Sequence, residues 1–106
     1  MKLLTKELIA KFPKLYANEE KKTSDVEIIA KFFNPCGAQT WYATEFDSDD
    51  LFFGYVNLGD SQCAELGYFS LSELESMQLP FGLGIERDLH YKGHKLGEVM
   101  VWIKRN

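Results

Sequence analysis

Four runs rich in β-forming residues follow one another through the middle of the chain, and only a few residues join each run to the next. The runs span residues 25–33, 39–46, 51–58 and 63–69. Parallel pairing of neighbouring runs would need a crossover connection of about a dozen residues or more. Connections this short therefore predict antiparallel strands arranged as a meander.

The three connections have the composition of tight turns. The first, Asn34-Pro35-Cys36-Gly37, places proline at the second position and glycine at the fourth, as β-turns favour. Asp47-Ser48-Asp49-Asp50 and Gly59-Asp60-Ser61-Gln62 form the other two. Within the first run, apolar residues alternate with polar ones, which predicts one half-buried strand over residues 25–33.

The clearest helix signal follows the fourth run. Ser70 is a candidate N-cap, and Glu73 stands where it completes a capping box. Pro80 limits the segment because proline cannot continue a helix. A helix is therefore predicted near residues 71–78.

Two further helices are predicted at the ends of the chain. Thr5 is a candidate N-cap and Pro13 a stop, which indicates a helix near residues 5–12. The segment 95–104 fits either a helix or a strand, and the helix is favoured. The helical face would be formed by Leu96, Val99, Met100 and Ile103, and the strand face by Val99, Val101 and Ile103.

These elements predict an α+β fold, with an antiparallel four- to five-stranded meander sheet and two or three short flanking helices. The extended segment near residues 85–91 is the candidate fifth strand. A chain of 106 residues is expected to form a single domain, residues 1–106, and to bury roughly two-thirds of its unfolded surface.

Charge is distributed unevenly along the chain. Between Lys31 and Arg87 there is no lysine or arginine, while these 55 residues carry nine carboxylates and 11 of the 15 aromatic side chains. The flanks are basic, with net charges of +2 for residues 1–31 and +3 for residues 87–106, so the total is −4. A surface without cations repels phosphate and favours basic partners.

The same pattern limits other classes of function. Aromatic residues that stack on nucleic acid come with lysines and arginines in the same groove, so direct nucleic-acid binding through the sheet is not expected. No apolar run approaches the roughly 20 residues that cross a bilayer, and the N-terminus turns polar too soon for a signal peptide. A cytoplasmic protein without membrane contact is expected.

Several segments carry a family resemblance. They are Leu3–Leu8, Leu15–Ala17, Thr40–Glu45, Leu51–Gly54, Leu66–Glu75 and Gly82–Tyr91. In this order they are similar to a family of small bacterial proteins catalogued as domain of unknown function 2958. The resemblance implies no catalytic residues. It implies an association with plasmids, phages and integrative elements, near genes for DNA transfer or for evading host defence.

Glu45, Asp47, Asp49 and Asp50 form the first candidate site. Converging carboxylates suit hard cations such as Mg²⁺ or Ca²⁺. The segment 47–51 lacks the third oxygen ligand and the turn glycine of an EF-hand loop. A solvated hairpin turn is the favoured interpretation, and neither a metal nor a cofactor is expected.

Glu86, Asp88 and His90 form the second candidate site. In an extended segment these three residues share one face, where two carboxylates could orient a histidine for acid–base chemistry. The alternative is structural: Arg87 pairs with carboxylates of the anionic block and fixes the last segment to the sheet. The structural alternative is favoured, and the three residues remain weak catalytic candidates.

The aromatic residues are too numerous for one face of a sheet. Neighbours such as Trp41-Tyr42 and Phe52-Phe53 must point to opposite faces, so either helices cover both faces or one face keeps exposed aromatic residues. Exposed aromatic residues among carboxylates are typical of protein-recognition surfaces. The alternative places them in the core or in a dimer seam. The candidate binding residues are Trp41, Tyr42, Glu45, Asp47, Asp49, Asp50, Phe52 and Arg87.

The leading expectation is a non-enzymatic protein-binding module with an acidic, aromatic-rich surface and a basic protein partner. The mobile-element setting implied by the resemblance points to anti-defence activity of the anti-CRISPR or anti-restriction type. Two alternatives stay open. One is a small enzyme that uses the Glu86/Asp88/His90 cluster, and the other is a structural or oligomerisation domain, for example a homodimer.

Overall fold

Residues 2–105, which the computed structural model describes, form a five-stranded antiparallel sheet with three α-helices. The predicted α+β class is therefore confirmed. The strands are β1 (Ala30–Phe33), β2 (Thr40–Phe46), β3 (Leu51–Asn57), β4 (Glu65–Ser70) and β5 (Glu86–Arg87). The α-helices are α1 (Lys6–Lys11), α2 (Leu71–Ser76) and α3 (Leu96–Arg105).

The strand order is β4-β3-β2-β1-β5, so the first four strands form the predicted meander and β5 adds to the free edge of β1. All the pairs are antiparallel. The turns close through side chains of the expected types. In the first turn, the side-chain oxygen of Asn34 accepts a hydrogen bond from the backbone N–H of Cys36 at 2.7 Å.

The prediction of one strand over residues 25–33 was wrong at its beginning. β1 starts only at Ala30, because the chain passes from one side of the sheet to the other just before it. Val26 and Ile28 pack with α3, whereas Ala30 and Phe32 pack on the opposite face. Before the crossing, Ile28 donates its backbone N–H to the carbonyl of His94 at 2.9 Å. A period of two in the sequence cannot reveal such a change of side.

One face of the sheet, here called the first face, packs against α1, α2 and the N-terminal segment. Its core contains Phe32, Trp41, Phe46 and Phe52 from the strands, with Leu74 from α2. The two helices begin as predicted: Thr5 Oγ1 accepts from the backbone N–H of Leu8, and Ser70 Oγ from that of Glu73, both at 3.1 Å.

The opposite face, here called the second face, is covered in part by α3. Leu96, Val99 and Ile103 of this helix are buried against Tyr55, Ala64 and the segment before β1. Val101 is half exposed, as a helix requires and a strand would not allow. The helix favoured for residues 95–104 is therefore confirmed, with bounds Leu96–Arg105. Since α3 leaves the β3–β4 end of this face uncovered, the fold creates a cavity there.

Candidate functional site

The cavity lies on the second face of the sheet, at the β3–β4 end, and has a volume of about 250 Å³. Phe53, Leu66 and Tyr68 project from the two strands to form one wall. Tyr16, from the loop after α1, forms the facing rim, and Glu45 lies at the floor. The cavity therefore combines aromatic and aliphatic walls with two carboxylates, those of Glu45 and Glu19.

A β-bulge in β2 explains why a carboxylate points into this cavity. Ala43 pairs with Gly54, but Glu45 pairs with Phe53, so the register shifts by one residue between Ala43 and Glu45. Thr44 and Glu45 consequently both line the cavity on the second face. The Thr44 hydroxyl donates a hydrogen bond to the carbonyl of Phe53 at 3.0 Å. Bulges commonly re-aim a side chain in this way.

Glu45 is buried, with only 5% of its surface exposed. Its two carboxylate oxygens accept hydrogen bonds from the backbone N–H groups of Tyr16 at 2.9 Å and Asn18 at 3.1 Å. Each oxygen retains a further lone pair. Tyr16 has a φ of +69°, a strained conformation for an aromatic residue. The carboxylate therefore holds the Tyr16 turn in place over the cavity.

Two exposed tyrosines form the mouth of the cavity. Tyr16 is 64% exposed and Tyr68 51%. The neighbouring Tyr16 hydroxyl and desolvation raise the pKa of Tyr68, and the nearby charge of Glu45 raises it further. Phe53 packs edge-on against Tyr68, with 5.0 Å between the ring centroids. Aromatic faces next to a carboxylate attract a cationic side chain through both cation–π and ionic interactions.

The carboxylates of the cation-free block are not neutralised by ion pairs within the described part of the chain. The ion pairs among residues 2–105 are Lys31–Asp88 at 3.7 Å and His94–Glu98 at 3.1 Å, and neither involves the block. Lys21 also lines the cavity, but it forms no ion pair with Glu45. Within residues 2–105, no ion pair therefore compensates the carboxylates around the cavity.

The structure separates the predicted binding residues into different environments. Trp41 and Phe52 are 3% and 0% exposed, so both lie in the core of the first face and form no accessible surface. Tyr42 is half-buried on the second face, with the Lys31 ammonium 5.8 Å from its ring centroid. Arg87 donates from Nη1 to the carbonyl of Leu3 at 2.7 Å and thereby fixes the N-terminal segment to the sheet.

The aspartates of the β2–β3 turn bind backbone and side-chain groups of their own surroundings. Asp47 Oδ1 accepts from three successive backbone N–H groups, those of residues 49–51, at 2.8–3.0 Å. Asp50 accepts from the backbone N–H and hydroxyl of Ser72 at 2.8 and 2.7 Å, which ties the turn to α2. Asp49 is exposed. Glu45 points to the cavity instead, so the four carboxylates do not converge.

The three weak catalytic candidates do not share one site, because Glu86 lies apart from Asp88 and His90. Glu86 lines a cavity beside Leu3 and Leu74, whereas Asp88 and His90 line a different one between β1 and α3. β5 ends at Arg87, so the extended geometry that would align the three does not continue. Asp88 instead accepts the backbone N–H of His90 at 2.9 Å.

The candidate binding residues named from the sequence omit most of the cavity. Tyr16, Phe53, Leu66 and Tyr68 were absent from that set, and only Glu45 was present. The alternation of Leu66 and Tyr68 with the buried Phe69 could have placed both on the opposite face of β4. Nothing local in the sequence indicates that Tyr16 approaches Glu45, 29 residues away.

Comparison with known proteins gives one match. A family model described as "Protein of unknown function (DUF2958)" matches residues 3–105. No curated protein and no solved structure matches the chain at a significant level. Among the described residues, no helix is long and apolar enough to cross a bilayer.

Proposed function

Given that the chain belongs to the DUF2958 family of proteins of unknown function, we propose that it is a non-enzymatic binding module for a basic protein partner. In this proposal, a lysine or arginine side chain of the partner enters between Tyr16 and Tyr68 and its charge approaches the carboxylate of Glu45. The observation that carries the proposal is a buried carboxylate at the floor of an open, aromatic-rimmed cavity.

The chemistry of the cavity supports a cationic ligand. Cation–π contacts contribute about 0.5–1 kcal/mol at exposed sites and more when the cation is desolvated. Glu45 is already held by two backbone N–H groups, so it needs no rearrangement to receive a cation. Preorganisation of this kind lowers the entropic cost of binding. Exposed tyrosines at the centre of a contact are typical of residues that dominate binding energy.

The wider charge pattern supports the same sign of partner. The cation-free block contributes β2, β3 and β4, and the net charge of the chain is −4. Such a field accelerates association with a basic surface and disfavours phosphate-bearing ligands. The proposal therefore includes no nucleic acid bound through the sheet.

At a finer level, we propose that the partner is a basic component of a host-defence nuclease, as in anti-CRISPR or anti-restriction proteins, and that binding occurs in the cytoplasm. The support is the mobile-element setting implied by the family resemblance, together with the basic surfaces that nucleases present to DNA. Inhibition of DNA cleavage by a nuclease that co-purifies with the protein would test this level. A co-purified nuclease whose cleavage is unaffected would contradict it.

The binding proposal is tested with a lysine-rich peptide as the probe and heteronuclear NMR as the measurement. We expect the largest shifts at the backbone N–H groups of Tyr16 and Asn18, because these groups bond to Glu45. The same peptide with acetylated lysines should leave them unmoved, since acetylation removes the charge.

Two variants with similar exposure provide the matched comparison. Tyr68→Ala should weaken binding about tenfold, as expected for a residue worth more than about 1 kcal/mol. Trp102→Ala, on α3 and 49% exposed, should leave the affinity unchanged. Equal losses in the two variants, or shifts confined to residues outside the cavity, would contradict the proposal.

A further inference from the structure

We propose that the outer edge of β4 accepts an extended basic segment of the partner as a sixth strand of the sheet, in either the antiparallel or the parallel direction. This inference rests on the proposed function and specifies how the partner docks. β4 is an outer strand: it pairs with β3 on one side, and the strand order ends there. An outer strand presents backbone N–H and C=O groups that a further strand can pair with.

The register identifies the groups that face outward. Leu71 donates its backbone N–H to the carbonyl of Asp50, so residues 71 and 50 form a hydrogen-bonded pair at the end of the β3–β4 ladder. Hydrogen-bonded and non-hydrogen-bonded pairs alternate along an antiparallel ladder. Residues 65, 67 and 69 therefore bond inward to β3, and the backbone groups of Leu66 and Tyr68 point to the open edge.

The edge lacks the features by which sheets usually prevent such pairing. Natural edges are protected by lysines, prolines, bulges or covering elements. β4 contains no lysine or proline, pairs with β3 without a register shift, and has open space around Gly67. A groove of about 440 Å³ follows this edge, lined by Leu58, Asp60 and residues 65–68 among others. The edge is therefore both accessible and shaped to receive a chain.

The carboxylates at the groove favour a basic partner segment over a second copy of this chain. Asp60 and Glu65 lie at one end of the groove, and no ion pair within the described residues neutralises either. A second copy of this chain would bring its own cation-free β4 and its carboxylates to the same edge, where like charges are unfavourable. An extended segment with lysine or arginine side chains is complementary instead.

The edge is continuous with the cavity of the proposed function. Leu66 and Tyr68 line that cavity with their side chains, and their backbone groups form the open edge. Side chains of an added strand alternate between the two faces. Every second residue of the partner segment would therefore stand beside Leu66 or Tyr68 on the second face, and a basic one could reach over Glu45.

The test uses a blocked peptide in which lysine alternates with valine, of about the same length as β4, which has 6 residues. Hydrogen exchange of the protein measures strand addition directly. We expect the peptide to slow the exchange of the Leu66 and Tyr68 backbone N–H groups, and to leave that of Val101 on α3 unchanged.

A pair of variants at one position separates backbone from side chain. Leu66→Pro removes the outward N–H, which an edge strand tolerates because the ladder to β3 is kept. It should weaken peptide binding about tenfold relative to Leu66→Ala, which keeps the N–H. Circular dichroism of both variants checks that the fold is retained. If Leu66→Pro unfolds, the exchange measurement on the wild-type protein decides.

The outcomes distinguish this inference from the proposed function. Equal affinity of Leu66→Pro and Leu66→Ala, with no protection at Leu66 and Tyr68, would overturn strand addition. Loss of peptide binding in Tyr68→Ala would in that case still support the cavity as the binding site. Protection of the same groups that grows with protein concentration in the absence of peptide would also overturn the inference, because it would identify a second copy as the occupant.

Discussion

At the scale of single residues, Asp47 shows how a carboxylate of the cation-free block stabilises a backbone turn by accepting hydrogen bonds. Hydrogen bonds from the N–H groups of Leu51, Asp49 and Asp50 lower its pKa below the ordinary value of 3.8. A carboxyl group whose pKa is lowered by folding stabilises the protein above its ordinary pKa. That stabilisation is lost as the pH falls through the lowered value. Asp47 therefore contributes to stability at neutral pH and less in acid.

Asp47→Asn should accordingly lower the melting temperature at neutral pH and make its decline below about pH 4 less steep, because a neutral side chain has no charge to lose. Thermal unfolding followed by circular dichroism at several pH values measures both effects. Asp49→Asn is the matched control, since Asp49 lies in the same turn and is exposed. Parallel acid profiles for Asp47→Asn and the wild type would contradict the role of Asp47.

Two tyrosines on the second face, Tyr55 buried and Tyr91 half-buried, provide the second prediction at this scale. The Tyr55 hydroxyl is buried and has no hydrogen-bond partner within residues 2–105, whereas the Tyr91 hydroxyl donates to the carbonyl of Ile28 at 3.1 Å and accepts from the N–H of His94 at 2.7 Å. Burial raises the pKa of Tyr91 to about 12. Tyr55→Phe should leave the free energy of unfolding unchanged or raise it by about 1 kcal/mol, while Tyr91→Phe should lower it by about 1–3 kcal/mol. Urea unfolding measures both, and a marked loss in Tyr55→Phe would contradict the first.

At the scale of elements, the close approach of β2 and β3 at Gly54 limits what the sheet tolerates. A Cβ at Gly54 would lie 1.9 Å from the carbonyl oxygen of Tyr42, so the strands would have to separate. Gly67 is the partner of Gly54 in the β3–β4 ladder, and no described residue beyond its chain neighbours comes within 4 Å of its Cβ position. Gly54→Ala should destabilise the protein by about 3 kcal/mol or more, whereas Gly67→Ala should be neutral or mildly stabilising. Comparable unfolding midpoints for the two variants would refute this account.

Among the elements, the sequence could predict the helix starts but not the beginning of β1 or the cavity. α1 and α2 each begin with a hydrogen bond between residues only three positions apart, accepted by the side chains of Thr5 and Ser70. The local spacing of residues in the sequence therefore identified both starts. The beginning of β1 depends on which side of the sheet the chain occupies, which alternation alone does not contain. The cavity depends on a bulge next to Ala43 and on a contact between Glu45 and Tyr16 across 29 residues. Neither has a local signature, so the site could not be assembled from the sequence.

At the scale of the whole molecule, the net charge and the open β4 edge have opposite effects on self-association. The exposed strand favours pairing between copies, whereas a net charge of −4 keeps copies apart at neutral pH. The basic flanks offset this charge only in part: the Lys104 ammonium donates to the carbonyls of Ser61, Gln62 and Ala64 at 2.8–3.1 Å, just before β4, and the net charge stays negative. Self-association should therefore depend on pH.

We expect a monomer at neutral pH and low salt, and increasing self-association as the pH approaches the isoelectric point of about 5.1, where repulsion between copies vanishes. Light scattering after size-exclusion chromatography measures the mass at each pH. Leu66→Lys should suppress the association, because a lysine on an edge strand opposes pairing. Val101→Lys changes the net charge equally but lies on α3, and should associate like the wild type at the same distance from its own isoelectric point. If both lysine variants suppress the association alike, the contact between copies does not involve β4. If a dimer is already present at neutral pH and low salt, charge does not keep the β4 edge free for a partner.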